Sequence, residues 1–176
     1  MNIKDIHNLE QATKKGRTEL FRLGVGLIFM VGVMLYASVK GVTGDGTLVL
    51  VIASAIGAYM AMNIGANDVA NNVGPAVGSK ALTLFGALVI AATFEAAGAL
   101  LAGGEVVGTI RNGIIDPNKI ANTQTFVWLM MAALLAAALW LNVATALGAP
   151  VSTTHAIVGA IIGSGIAASG MDIVDW

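Results

Sequence analysis

The 176-residue chain has no cysteine, which excludes disulfides, thiolate metal sites and cysteine nucleophiles. Charge is nearly as scarce. Asp, Glu, Lys and Arg make up 11% of the residues, against roughly 25% in a soluble domain. So few charges cannot cover a globular surface of this size. The balance of 9 basic and 10 acidic side chains leaves no electrostatic footprint for nucleic acid. What fills the chain is apolar: 57% of residues are hydrophobic and the mean hydropathy is +0.83. An integral membrane protein is the class that fits.

Residues 1–20 are polar and of mixed charge, with Lys4, Lys14, Lys15 and Arg17 against Asp5, Glu10 and Glu19. A secretory signal has a short basic start and then an apolar core at once. This segment is therefore read as a cytoplasmic tail, and His7 as a solvated surface residue. A membrane helix needs about 20 mostly apolar residues. The stretches 21–39, 47–64, 81–102 and 126–147 qualify. A tight loop is expected at Gly41-Val42-Thr43-Gly44-Asp45-Gly46, and a polar connection over 103–125 containing Arg111, Asp116, Pro117 and Lys119. A fifth segment, 151–168, is glycine-rich and expected to be interrupted; it either spans or enters and leaves by one face. Five of the nine Lys and Arg residues precede or open the first span, which places the N-terminus in the cytoplasm.

The most informative stretch is Gly65-Ala66-Asn67-Asp68-Val69-Ala70-Asn71-Asn72. It puts one carboxylate and three amides inside otherwise lipid-soluble sequence. An ionisable residue at membrane depth is costly and marks a substrate or ion site by default. Gly65, Gly74, Pro75 and Gly78 surround it, so a broken helix is expected there. Broken backbone with polar side chains in a membrane protein points to transport. Gly74 and Gly78, and again Gly159 and Gly163, have the spacing that lets helix backbones approach closely. The second pair is read as helix packing, and the first as part of the functional backbone.

A second constellation is Gly148-Ala149-Pro150-Val151-Ser152-Thr153-Thr154-His155. Proline suits the first turn of a helix and Ser or Thr caps its start, so 150–154 reads as a helix N-terminus. Two readings stand side by side. The hydroxyls beside the unpaired N–H groups form an oxyanion cradle, or Ser152 merely caps while Thr153 and Thr154 bond back to the helix. His155 either packs with one partner or serves the ligand. Gly74-Pro75-Ala76-Val77-Gly78-Ser79-Lys80 is not a nucleotide loop, because that motif needs Gly-Lys-Ser/Thr in order after a strand. No nucleophile or metal-ligand spacing supports a membrane enzyme using Asp68 and His155.

Residues 65–79, Gly-Ala-Asn-Asp-Val-Ala-Asn-Asn-Val-Gly-Pro-Ala-Val-Gly-Ser, resemble the signature of the PiT-type inorganic phosphate transporters, the phosphate permease family. Residues 147–163, Leu-Gly-Ala-Pro-Val-Ser-Thr-Thr-His-Ala-Ile-Val-Gly-Ala-Ile-Ile-Gly, are similar to its second landmark. The stretches 94–104 and 109–115 fit between them in order, and the resemblance covers residues 47–176. It implies an all-α integral membrane fold: about four transmembrane helices plus a re-entrant or interrupted helical hairpin, one half of an inverted-repeat transporter. The expected divisions are the tail 1–20, an additional span and loop 21–46, and a first, incomplete repeat 47–176.

The resemblance also implies a function, which is cation-coupled transport of inorganic phosphate by alternating access, with no enzymatic step. Asn67, Asp68, Ser152, Thr153 and Thr154 are then expected to bind phosphate. Asp68, Asn71 and Asn72 are expected to hold a coupling Na+, while Glu95, His155, Gly65, Gly74 and Pro150 give support. Na+ or H+ is carried with the substrate, and no cofactor is expected. The chain holds one copy of each motif, whereas the family joins two halves around one site. A second half or a second copy of the chain is therefore the expected partner, in the plasma or inner membrane. Sulfate or another oxyanion on the same fold, and a non-transporting accessory subunit, are the alternatives.

Overall fold

The computed structural model describes residues 3–41 and 46–174, without the side chains of 3–15, 111 and 112. The expected loop residues 42–45 and the side chains of His7 and Arg111 thus lie outside the described residues. Among the described residues five helices follow one another: α1 (Ile3–Lys40), α2 (Gly46–Gly78), α3 (Leu84–Asn112), α4 (Thr123–Ala146) and α5 (Thr153–Ser169). Short 3-10 turns lie at Pro117–Lys119 and Met171–Ile173. Among the described residues the sole β-type pairing is an isolated antiparallel bridge between Ile115 and Val174.

Among the described residues four helices are long and apolar enough to cross a membrane: Gly16–Lys40, Gly46–Gly78, Leu84–Ile110 and Thr123–Ala146. Their surfaces carry exposed Phe21, Ile28, Phe85, Leu100 and Leu101. Such side chains in water would form a patch that drives aggregation, but against hydrocarbon tails they are already at home. The chain is a membrane protein.

Two compact units divide the chain, Met1–Ala58 and Tyr59–Trp176. In the first, α1 buries none of its apolar window within the chain. Its helix is continuous from the polar tail into the span. In the second unit α5 folds back antiparallel along α4. Met60, Ala137, Ala138 and Leu141 form one buried cluster, against which Val151, Ala156 and Ile157 pack. Leu129 and Ala133, from the other half of α4, form a second cluster with Ile115, Ile120, Ile161, Ile173 and Val174. Asp116 N donates to Ile173 O at 2.9 Å, so the end of α5 closes on the α3–α4 connection. Asp116 and Asn122 shape that connection by capping: Asp116 Oδ1 accepts from Asn118 N, and Asn122 Oδ1 from Thr125 N.

Three sequence expectations need correction. The helix expected to break near Gly65 runs unbroken for 33 residues to Gly78, about 50 Å at ~1.5 Å per residue. Gly65 and Gly74 sit inside it without strain. Pro75 lies in its last turn, so the ladder bond it removes, to Asn71 O, comes only at the end of the helix. The third helix likewise runs ten residues past its expected end at 102, to Asn112, and shortens the polar connection. The fifth segment, expected to be interrupted, is an unbroken helix of 17 residues. Packing on α4 carries it through its glycines.

Gly159 and Gly163 do not mediate close packing within the chain, since a Cβ at either meets nothing within 4 Å. In the second unit the glycine that does is Gly165, where a Cβ comes to 3.0 Å from Ile115 Cγ2 and 3.3 Å from Ile173 Cγ2. Gly165→Val is expected to lower stability by about 1–3 kcal/mol through overpacking. Gly163→Ala is expected to change it by less than about 1 kcal/mol. Thermal unfolding in detergent micelles, followed by circular dichroism, checks both.

Candidate functional site

Helix periodicity sorts the polar cluster of α2 into two stripes. Asn63, Asn67 and Asn71 stand four residues apart and share one face, and Asp68 and Asn72 occupy the stripe beside it. Asn63 and Asn67 are each only 5% exposed. Their amides are matched across to α4 and the turn that follows it. Asn142 Nδ2 donates to Asn63 Oδ1 at 3.0 Å. Asn67 Nδ2 donates to Thr145 Oγ1 at 3.3 Å and to Ala149 O at 3.4 Å. Asn71 Nδ2 donates to Asn67 Oδ1 at 3.0 Å.

The turn between α4 and α5 is built from local chemistry. Gly148 has φ +67°, a conformation open to glycine and strained for other residues. Gly148 N donates to Thr145 O at 3.1 Å and Ala149 N to Ala144 O at 2.8 Å, the paired bonds of a Schellman motif. Pro150 follows, where the helix cannot continue. Ser152 then caps α5: its Oγ accepts from His155 N at 3.3 Å and lies 2.8 Å from His155 Nδ1. Ser152 thus does what the capping alternative anticipated. The first N–H groups of α5 point out of its start, with the positive end of the helix dipole.

These two parts meet. Thr153 Oγ1 donates to Asp68 Oδ2 at 2.7 Å, so Thr153 reaches across to α2 instead of bonding back to its own helix. Asp68, Asn71, Asn72, Pro150, Val151, Ser152 and Thr153 line a cleft of about 380 Å³. A neighbouring cleft of about 320 Å³ is lined by Val69, Asn72, Val73, Ala91, Phe94 and Glu95, so Asn72 borders both. The arrangement places carboxylate and amide oxygens, suited to a hard cation, beside hydroxyls and a helix start, suited to an oxyanion.

The expected residues are distributed unevenly. Asp68, Asn71, Asn72, Pro150, Ser152 and Thr153 come together. Thr154 and His155 are exposed and lie outside that lining, as does buried Asn67. Glu95 belongs to the neighbouring cleft. Gly65 and Gly74 are helical positions of α2. Sequence inspection passed over Asn63, Asn142 and Thr145. Their signal was present: Asn63 precedes Asn67 by one helical turn, and Asn142 and Thr145 sit three apart in the most apolar run of the chain. Because Gly148 φ is positive, Gly148→Ala is expected to cost about 1–2 kcal/mol. A lowered melting temperature in micelles, with helix content retained at low temperature, is the outcome to look for.

The sequence pattern of the phosphate transporter family matches residues 64–176. A Helicobacter pylori (strain J99) protein assigned as a phosphate permease is 50% identical over 176 residues, which are 100% of this chain and 33% of that protein. A Pyrococcus furiosus protein assigned likewise is 48% identical over 128 residues, 73% of this chain and 31% of that one. Among solved structures, one described as the sodium-dependent phosphate transporter is similar, with a TM-score of 0.70 and 43% identity. The match covers 73% of this chain and 32% of that chain. This chain spans about a third of the length of these relatives. The matched region holds both polar constellations and the cleft they form, and the chain belongs to the phosphate transporter family.

Proposed function

We propose that this chain supplies one half of the substrate site of a cation-coupled inorganic phosphate transporter, working by alternating access in the plasma or inner membrane. The observation that carries this reading is the Asp68–Thr153 hydrogen bond, which joins a carboxylate to the start of α5. On this reading Asp68, Asn71 and Asn72 hold the cation. Ser152, Thr153 and Thr154, with the first N–H groups of α5, receive phosphate oxygens. Phosphate without countercharge is costly in a low-dielectric site, and a co-bound cation offsets that cost. The relatives' names, permease and sodium-dependent phosphate transporter, support phosphate and Na+ as the two ions.

The same bond suggests how the ions couple. A threonine hydroxyl has a single proton, and Thr153 donates it to Asp68. A cation on Asp68 takes over the carboxylate oxygens and releases that proton to a phosphate oxygen. Each ion then raises the affinity for the other by the same factor. His155 supports Ser152 through their contact, and Glu95 supports the site through Asn72. A second transporter half, or a second copy of the chain, closes the cleft from the other side.

The test is radiolabelled phosphate uptake into proteoliposomes under an imposed Na+ or H+ gradient, with excess sulfate as competitor. It is run on the chain alone and on the chain joined to a second half. Gradient-driven uptake that resists sulfate is expected. Asp68→Asn is expected to abolish the response to the gradient. Thr153→Val is expected to weaken phosphate binding about tenfold or more, the worth of one hydrogen bond to a charged group. Normal gradient dependence in Asp68→Asn, or uptake in neither format, overturns the proposal.

A further inference from the structure

We infer that Asn63, Asn142 and Asn67 form a positioning device, and that Asn67 serves the cleft by holding its parts together rather than by touching a ligand. The purpose of the device rests on the transport reading above; its content rests on geometry. Asn67 does not line the cleft. Its amide nitrogen is committed to Thr145 Oγ1 and Ala149 O, and its oxygen already accepts from Asn71. Both donor directions of the amide nitrogen are thus taken, one lone pair of its oxygen is used by Asn71, and the side chain is 5% exposed and outside the cleft lining.

Its partners are the informative part. Ala149 belongs to the Schellman turn and immediately precedes Pro150, which lines the cleft. Asn71, tethered to Asn67, lines it too. One turn earlier on α2, buried Asn63 donates to Tyr59 O in its own helix at 2.8 Å and accepts from Asn142 on α4. Asn142 and Thr145 are three apart, on one face of α4. Two successive turns of α2 are therefore linked to two positions about one turn apart on α4. Apolar packing between Met60 and Leu141 is non-directional and tolerates sliding or rotation. Amide bonds do not, because a shift of one residue strands buried donors and acceptors in an apolar surround. The links fix the register that lets Asp68 meet Thr153.

The chain has no native cysteine, so engineered thiols report without background. Asp68→Cys with Thr153→Cys, bridged by a short bifunctional thiol reagent in lipid nanodiscs, reads the juxtaposition at the cleft. Ile115→Cys with Val174→Cys reads the remote end of the unit, at the isolated bridge. Asn63→Leu, Asn142→Leu and Asn67→Leu are each expected to slow cross-linking of the first pair about fivefold or more, the worth of one net hydrogen bond. The second pair is expected to keep its rate, and Asn142→Gln, which retains a donor, to restore the first. Asn67→Asp keeps ligating oxygens but offers no donor to Ala149 O; slowed cross-linking supports positioning, and an unchanged rate, with tighter Na+ binding when the same substitution is made in the chain that keeps Asp68, overturns it.

Unchanged cross-linking of the first pair in the Leu variants also overturns the inference. Loss of both pairs does so too, because it marks general unfolding. Radiolabelled phosphate binding is read in separate nanodiscs, on chains that keep Asp68 and Thr153. Weaker binding in Asn63→Leu and Asn142→Leu, whose side chains are remote from the cleft, supports positioning. A parent chain that binds no phosphate counts against the transport reading, while the cross-linking rates still decide the positioning role.

Discussion

A polar side chain inside an apolar helix bundle has no water to fall back on, and the second unit of this chain is organised around that constraint. Asp68, Asn67 and Asn63 lie on one 33-residue helix, and each finds its partner on a different part of the α4–α5 hairpin. Among the described residues no buried side-chain nitrogen or oxygen is left without a hydrogen bond. The spacing along α2 converts that requirement into geometry. Asn63 and Asn67 tie the helix to α4 and the turn. Asp68, Asn71 and Asn72, on the flank of that stripe, face the cleft. Structure and candidate function thus use neighbouring faces of one helix.

The hairpin contributes the other half of the arrangement by local means. A Schellman turn at Gly148 ends α4, Pro150 prevents its continuation, and Ser152 caps α5. The start of α5 is thereby set beside α2, while the far end of α5 is tied down by Gly165, Ile115 and Ile173. A short helix held at both ends gives its first N–H groups and the Thr153 hydroxyl a defined direction. Preorganised donors of this kind suit an anion better than a flexible lysine, which brings a fixed charge that resists release.

Much of this was legible in the sequence, because it depends on neighbours a few residues apart. The span 126–147 and the helix Thr123–Ala146 nearly coincide, since apolar length is a local property. The cap at Ser152 follows from its own chemistry. The two polar constellations announce themselves by contrast with their surroundings. Other features were misjudged for a common reason. Gly65 and Pro75 suggested a break, but partners on α4 satisfy the amides without unwinding α2. Gly159 and Gly163 have the spacing of a packing motif, yet the close contact fell to Gly165, because only the path of 110–120 and 171–174 decides which glycine meets a neighbour.

By itself, then, the sequence determined the class, the approximate spans, the caps and the residue types of the candidate site. Hydropathy and capping act over a turn or two of chain. The tertiary structure alone decided that Thr153 meets Asp68 across 85 residues, that Asn67 is buried away from the cleft, and that Asn63 and Asn142 pair. Such pairings depend on the register between helices. That register is set by the directional bonds formed when apolar surfaces pack, and no local pattern along one helix encodes its partner.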